Sequence, residues 1–294
     1  MKIKISKAQK IFNVFNIILM LILSVIMIYP MWHVFCASFS VSDKLVSHLG
    51  PILAPVGWSL AAYEGVFSNP MIVRSYINTI IIVVSGVFVN IVLTAMLAYG
   101  LSQKNVFWSK TIMKVITVTM FISGGLIPKY LLVSRTLGLS NTYLALILPL
   151  AIDTYYLIIM RTSFSQVPSS LVESARLDGA SHMRVLFQIV LPLSKSIIAV
   201  MILYYAVGHW NSWFNASIYI KERTKFPLQL ILREILIQND TSSMSQDAIF
   251  EDQYSIGETI KYATIVVATV PILCVYPFLQ RYFTKGVLLG AVKG

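Results

Sequence analysis

Charge is scarce in this chain. Asp, Glu, Lys and Arg together make 12% of its 294 residues, against 57% apolar, a balance that excludes an ordinary water-soluble globule, in which about a quarter of residues are charged. Cysteine is limited to Cys36 and Cys274, both among apolar neighbours, so neither a disulfide framework nor a thiolate metal site is expected. The four histidines, His33, His48, His182 and His209, are scattered. They form no H-E-x-x-H pair, and no nucleophile stands beside a base, so no metal, no catalytic residue and no enzyme activity are expected. No G-x-x-x-x-G-K-[ST] run is present, so this chain cannot cradle nucleotide phosphates itself and needs no cofactor of its own.

What remains is apolar length. Six stretches approach the roughly 20 residues that a helix needs to cross about 30 Å of hydrocarbon. They lie near 12–35, 77–101, 111–133, 142–161, 194–219 and 262–280, which predicts an all-α, multi-pass membrane protein with one transmembrane domain over 1–294. The first stretch is too long for a cleaved signal peptide and lacks a small-residue cleavage site. Two polar connections stand out, 162–193 and 220–261.

Basic residues near span ends stay cytoplasmic. Six spans put both termini on one side, together with Lys2, Lys4, Lys7, Lys10, Lys104, Lys110, Lys114, Arg161, Arg176, Arg184, Lys195, Arg281, Lys285 and Lys293, opposed only by Glu173 and Asp178. On the other side the basic residues, from Lys44 to Lys261, are matched one for one by carboxylates from Asp43 to Glu258. Both termini are therefore expected in the cytoplasm. The net charge of +11 reads as topology and contact with anionic lipid, not as nucleic-acid binding.

The connection 162–193 is too patterned for a tether. Ser170 with Glu173 three residues later has the form of a capping box and predicts a helix start. Gly179 supplies a left-handed stop, and a second helical stretch is expected from about Ser181 until Pro192. The small residues Ser174, Ala175 and Ala180 flank the turn and leave its tip open to close approach by a partner. An ordinary cytoplasmic hairpin that binds nothing is the alternative.

Glu173-Ser-Ala175, three residues, Gly179, nine residues, then Ile189-x-Leu191-Pro192 resembles the E-A-A, G, I-x-L-P loop of ABC importer permeases, with Ser174 in place of the first Ala. The resemblance implies a type I ABC importer permease fold. It also implies that Glu173, Ala175, Asp178, Gly179 and Ala180 form a coupling helix seated on a separate ATP-binding subunit. Tyr76-x-Asn78-Thr79, Trp210-Asn-x-Trp213-Phe-Asn215 and the ending Tyr282-Phe-x-Lys-Gly-x-x-x-Gly-Ala-Val-Lys-Gly294 are similar to the maltose-type carbohydrate branch, nearest its oligosaccharide and polysaccharide-fragment members. What this implies is import of a carbohydrate across the bacterial cell membrane by alternating access. The implied partners are a second, non-identical permease, two ATPase subunits that bind ATP and Mg, and an extracytoplasmic solute-binding protein met in part by the loop 220–261. By the same resemblance Val292, Lys293 and Gly294 reach into the ATPase interface; a basic end held by anionic lipid is the alternative.

The spans also carry polar residues of their own. Tyr204, Gly208, Asn211 and Asn215 recur at i, i+4, i+7 and i+11, within about 60° of one another on a continuous helix. Amides and phenols both donate to and accept from sugar hydroxyls, and Trp210, Trp213 and Phe214 supply faces for pyranose rings. Interhelical hydrogen bonds and an interfacial aromatic belt account for the same residues. Asp153 is the lone acid inside a span, and a water-filled path lined by Asp153 and Tyr156 stands against a structural hydrogen bond to a neighbouring helix. A secondary transporter driven by an ion gradient would need inverted repeats and several intramembrane charges. An ABC permease for a non-sugar solute fits every motif equally well. Segment 228–237 has the spacing of an amphipathic helix.

Overall fold

The computed structural model describes residues 6–103, 105–237, 259–274 and 277, which are mostly helical and contain no strand. Fifteen helices follow in order: α1 Lys7–Ser38, α2 Ser42–Ser47, α3 Ala61–Ser68, α4 Pro70–Ser102, α5 Ser109–Val118, α6 Leu126–Leu131, α7 Leu144–Ile147, α8 Thr154–Phe164, α9 Ser169–Leu177, α10 His182–Val185, α11 Leu191–Leu193, α12 Lys195–Trp210, α13 Phe214–Tyr219, α14 Leu228–Ile237 and α15 Thr259–Cys274. Two compact units result, one from the chain up to Pro70 with Glu234–Thr269 and one built mainly from Met71–Arg233.

In the first unit α1 runs 32 residues, about 48 Å, long enough to cross a membrane. Ser6 caps it by accepting from the Gln9 amide at 3.2 Å. Its apolar side chains face outward all round, the pattern of a lipid-facing span. Only its end packs: Cys36 and Ala37 close a small core with Leu45 and Ile52. Ser40 secures that core, donating to the Cys36 carbonyl at 2.8 Å and accepting from the Val56 amide at 3.0 Å.

The second unit is organised around α4, whose 33 residues also suffice to span a bilayer. Three of the other spans expected from the sequence are interrupted. The 111–133 stretch stops at Val118 and resumes at Leu126, after Gly125 takes a left-handed φ of +83°. The 142–161 stretch bends by 55° between Leu150 and Thr154, where Pro149 weakens the helix. The 194–219 stretch divides into α12 and α13 at Asn211–Trp213. The expected span 262–280 and the loop 220–261 lie partly outside the described residues.

Side chains from α4 and from one turn anchor the segment after α13. Asn78 Nδ2 donates to the Thr224 and Phe226 carbonyls, and Thr79 Oγ1 accepts from the Leu228 amide. Asn141, at φ +63°, accepts from the Lys221 and Glu222 amides and donates to the Glu222 carboxylate at 2.6 Å. Lys225 Nζ lies 3.1 Å from the same carboxylate. Lys225 first and Asn141 second hold Glu222 below the usual glutamate range. A lowered folded-state value stabilises the fold fully above the unfolded value of about 4.3 and ceases to do so as pH falls through the lower folded value. Protection of the Lys221 and Glu222 amides from hydrogen exchange is therefore expected to weaken below about pH 4 relative to amides within α4. Equal protection across that range would exclude the carboxylate clasp.

Candidate functional site

Two places draw together the residues that the sequence singles out. The first is the hairpin α9–α11. Its first helix starts two residues earlier than the capping box predicts. Pro168 occupies the cap position in extended geometry and no side chain caps the helix; Ser170 sits inside the first turn, where its hydroxyl cannot act as an N-cap. The far end follows expectation. Gly179 has φ +81°, its amide donates to the Arg176 carbonyl at 3.0 Å, and the Ala180 amide donates to the Ala175 carbonyl at 2.9 Å. This is a Schellman stop. Ser181 caps the return helix by accepting from the Arg184 amide, and the Arg176 guanidinium donates to the His182 ring to tie the arms together.

Pro192 does not end that return helix. A wide π turn, Leu186–Val190, precedes it, the helix continues through Leu193, and the chain bends by 89° into α12. Proline removes one ladder hydrogen bond, and a widened turn accommodates the loss. Val172, Ala175 and Ala180 pack against the core formed by Ala98, Tyr99, Leu157 and Phe164. Glu173, Asp178 and Gly179 are exposed. At the tip Leu177 is 89% exposed, a large apolar group presented outward on the hairpin.

The second place is the break before α8. Asp153 is the N-cap of that helix, and its Oδ1 accepts from the Tyr156 amide at 3.1 Å. The Tyr156 ring stacks on Tyr204 at 5.5 Å and meets Tyr205 edge-on at 4.9 Å. Asp153, Tyr156, Tyr204, Tyr205, Gly208 and His209 line a cavity of about 200 Å³. A carboxylate, three phenols and stacked rings around such a space can hydrogen-bond hydroxyls and cover the apolar face of a sugar ring.

The remaining residues of the polar stripe do not join it. Asn211 caps the end of α12 and Asn215 lies beyond the break on α13, so the single-face geometry ends at Gly208. Trp210 is buried and packs edge-on against Tyr76 at 6.1 Å. Trp213 lies under the Arg233 guanidinium, 4.4 Å from the ring centre. Val292, Lys293 and Gly294 lie outside the described residues. Neither Tyr205 nor His209 was selected from the sequence, although their spacing of four on an apolar helix marks a second face beside Tyr204.

A family model described as "Binding-protein-dependent transport system inner membrane component" matches residues 54–289. The chain is 42% identical over 280 residues to the polygalacturonan/rhamnogalacturonan transport system permease protein YtcP of Bacillus subtilis (strain 168), covering 94% of this chain and 96% of that protein. It is 41% identical over 289 residues to protein LplC of the same organism, covering 98% and 97%. Among solved structures, a bacterial ABC transporter involved in the import of the acidic polysaccharide alginate matches with a TM-score of 0.87 at 28% identity, over 96% of this chain and 100% of that one.

Proposed function

The chain belongs to the family of inner membrane components of binding-protein-dependent transport systems, and from that premise we propose that it is the permease subunit of an ABC importer whose cargo is a carbohydrate, an oligosaccharide or polysaccharide fragment. It is a multi-pass protein of the bacterial cell membrane, with the type I permease fold that its structural neighbour shares. The similarity to permeases named for pectin-type polymers and to an alginate importer supports the cargo class. In this reading the chain crosses the membrane six times with both termini in the cytoplasm. It pairs with a second permease, receives sugar from an extracytoplasmic binding protein and opens by alternating access. ATP and Mg are held by two separate ATPase subunits, and this chain contributes no catalytic group.

The observation that carries the reading is the hairpin α9–α11. A turn closed by two backbone hydrogen bonds around Gly179 and seated on the unit's core through Ala175 and Ala180 moves as one rigid piece with α4 and α8. Force applied at Leu177 and Asp178 is thereby delivered to α8, whose first turn lines the cavity through Tyr156. Asp153, Tyr156 and Tyr204 then lie on the sugar path. In a complex reconstituted with its ATPase and binding-protein partners, one class of oligosaccharide is expected to stimulate ATP hydrolysis at least about tenfold, a difference of about 1.4 kcal/mol. Stimulation by a peptide or polyol and by no sugar would sink the cargo assignment.

A further inference from the structure

A helix that breaks at membrane depth leaves backbone groups without partners, and there lipid offers none. Between Leu150 and Thr154 three of these groups are met by side chains from two other helices. Asn90 Nδ2 donates to the Leu150 carbonyl at 2.6 Å and to the Ala151 carbonyl at 3.0 Å. The Asp153 amide donates to the Tyr205 hydroxyl at 3.2 Å. That hydroxyl is paired with Thr94 Oγ1 at 2.8 Å, a bond in which either oxygen can donate.

With its amide nitrogen committed to two carbonyls, Asn90 presents Oδ1 to His209 Nε2 at 2.7 Å. A carbonyl oxygen only accepts, so the His209 proton sits on Nε2. Asn90 and Thr94 are fully buried and His209 is 3% exposed. The four residues form two pairs spaced by four, Asn90 with Thr94 on α4 and Tyr205 with His209 on α12, so each pair occupies one face of its helix.

We propose that Asn90, Thr94, Tyr205 and His209 are positioning residues for transport. They hold the broken segment so that Asp153, Tyr156 and Tyr204 meet the sugar in fixed geometry; the proposal rests on the reading of that cavity as part of the sugar path. Apolar side chains would join α4 to α12 at least as well, because interhelical polar pairs within a membrane average only about 0.6 kcal/mol. Polar groups at these four positions serve the break instead. Through it they fix the backbone of Asp153, whose carboxylate caps α8, and the Tyr205 ring braces Tyr156 directly. His209 touches both the frame and the cavity wall.

The test uses the complete complex in proteoliposomes. Tyr205→Phe and Thr94→Val, which remove hydroxyls and keep shape, are expected to raise the KM for sugar uptake about five- to tenfold, with kcat and sugar-independent ATPase activity within about twofold of wild type. Thr94→Ser is expected to restore the wild-type KM. Because both hydroxyls serve one chain of bonds, the double variant Thr94→Val/Tyr205→Phe is expected to be no worse than either single change.

A second measurement reads the segment itself. Ile152→Cys, placed in a Cys274→Ser background because the other native cysteine, Cys36, is buried, reports its exposure to a thiol reagent. Its labelling rate is expected to change at least about threefold in Tyr205→Phe and Thr94→Val, the lower end of what losing one buried hydrogen bond produces, and to be unchanged in Thr94→Ser. An unchanged rate in all variants overturns the proposal, as does a changed rate with unaltered KM. Tyr204→Ala separates the two readings. If it leaves KM unchanged, the cavity is not on the sugar path; if it raises KM while the frame variants do not, the frame alone loses its role.

Discussion

Gly179→Val is expected to cut sugar uptake by at least about tenfold while the protein still assembles in the membrane. Nothing lies within 4 Å of a Cβ added at this position, so the effect is not steric crowding. It is conformational: φ is +81°, where an L residue other than Asn or Asp costs about 1–2 kcal/mol, and a β-branched one more. At about 1.4 kcal/mol per factor of ten, the ratio of closed to open hairpin falls by about five- to thirtyfold. Loss of the turn also loses the two backbone bonds from Gly179 and Ala180 and separates Arg176 from His182. The core contacts of α4, α8 and α12 do not include Gly179, so folding is spared and coupling is not. Gly179→Asn, which tolerates the left-handed region, is expected to keep most of the activity. The measurement is sugar-stimulated ATPase activity beside uptake in proteoliposomes. Equal values for Val and wild type would remove this turn from the coupling pathway.

How far the structure could be read from the sequence depended on whether a feature was local. The left-handed stop at Gly179 was legible because glycine's freedom at a helix end needs no tertiary context. The long helices around 12–35 and 77–101 were legible from apolar length alone. The capping box failed because Pro168, immediately before Ser169, took the cap position two residues ahead of Ser170, and both patterns were available to the same sequence. The stripe ending at Asn215 failed for a related reason. Periodicity assumes an unbroken helix, and Asn211–Trp213 breaks it. The motif Tyr76-x-Asn78-Thr79 was visible only as a resemblance. Its physical work, anchoring the backbone at Thr224, Phe226 and Leu228, joins positions about 150 apart in the chain, and no local pattern encodes such a pairing. Asn90 was hidden in the same way, a lone polar residue in an apolar run, and His209, two residues before Asn211, carried no local sign of its partner on α4.

Gly86→Ala is expected to destabilise the folded chain by about 2–6 kcal/mol. An added Cβ there would lie 2.5 Å from His209 Nε2, 2.8 Å from Cδ2 and 2.9 Å from Cε1, closer than real Cβ atoms come to a neighbour. The ring cannot simply swing aside, because Asn90 holds it at 2.7 Å and Asn90 is itself fixed by two carbonyls of the broken segment. Either the helices separate or the bond breaks. Overpacking of this kind costs about 1–3 kcal/mol, and a buried hydrogen bond left unmade about 1–3 kcal/mol more. His209→Ala removes the obstruction but leaves Asn90 Oδ1 without its donor, so alone it also destabilises. Combined, the two changes interlock: the new methyl group enters the space that the imidazole vacates. Gly86→Ala/His209→Ala is therefore expected to be more stable than the sum of the single changes predicts, by about 1–3 kcal/mol. Denaturant unfolding of the purified permease in detergent, run on all four proteins, measures that coupling. Strict additivity, or a Gly86→Ala protein as stable as wild type, would show that α4 and α12 do not meet at this point, and the path from the helix crossing through Asn90 to the Asp153 break would lose its first link.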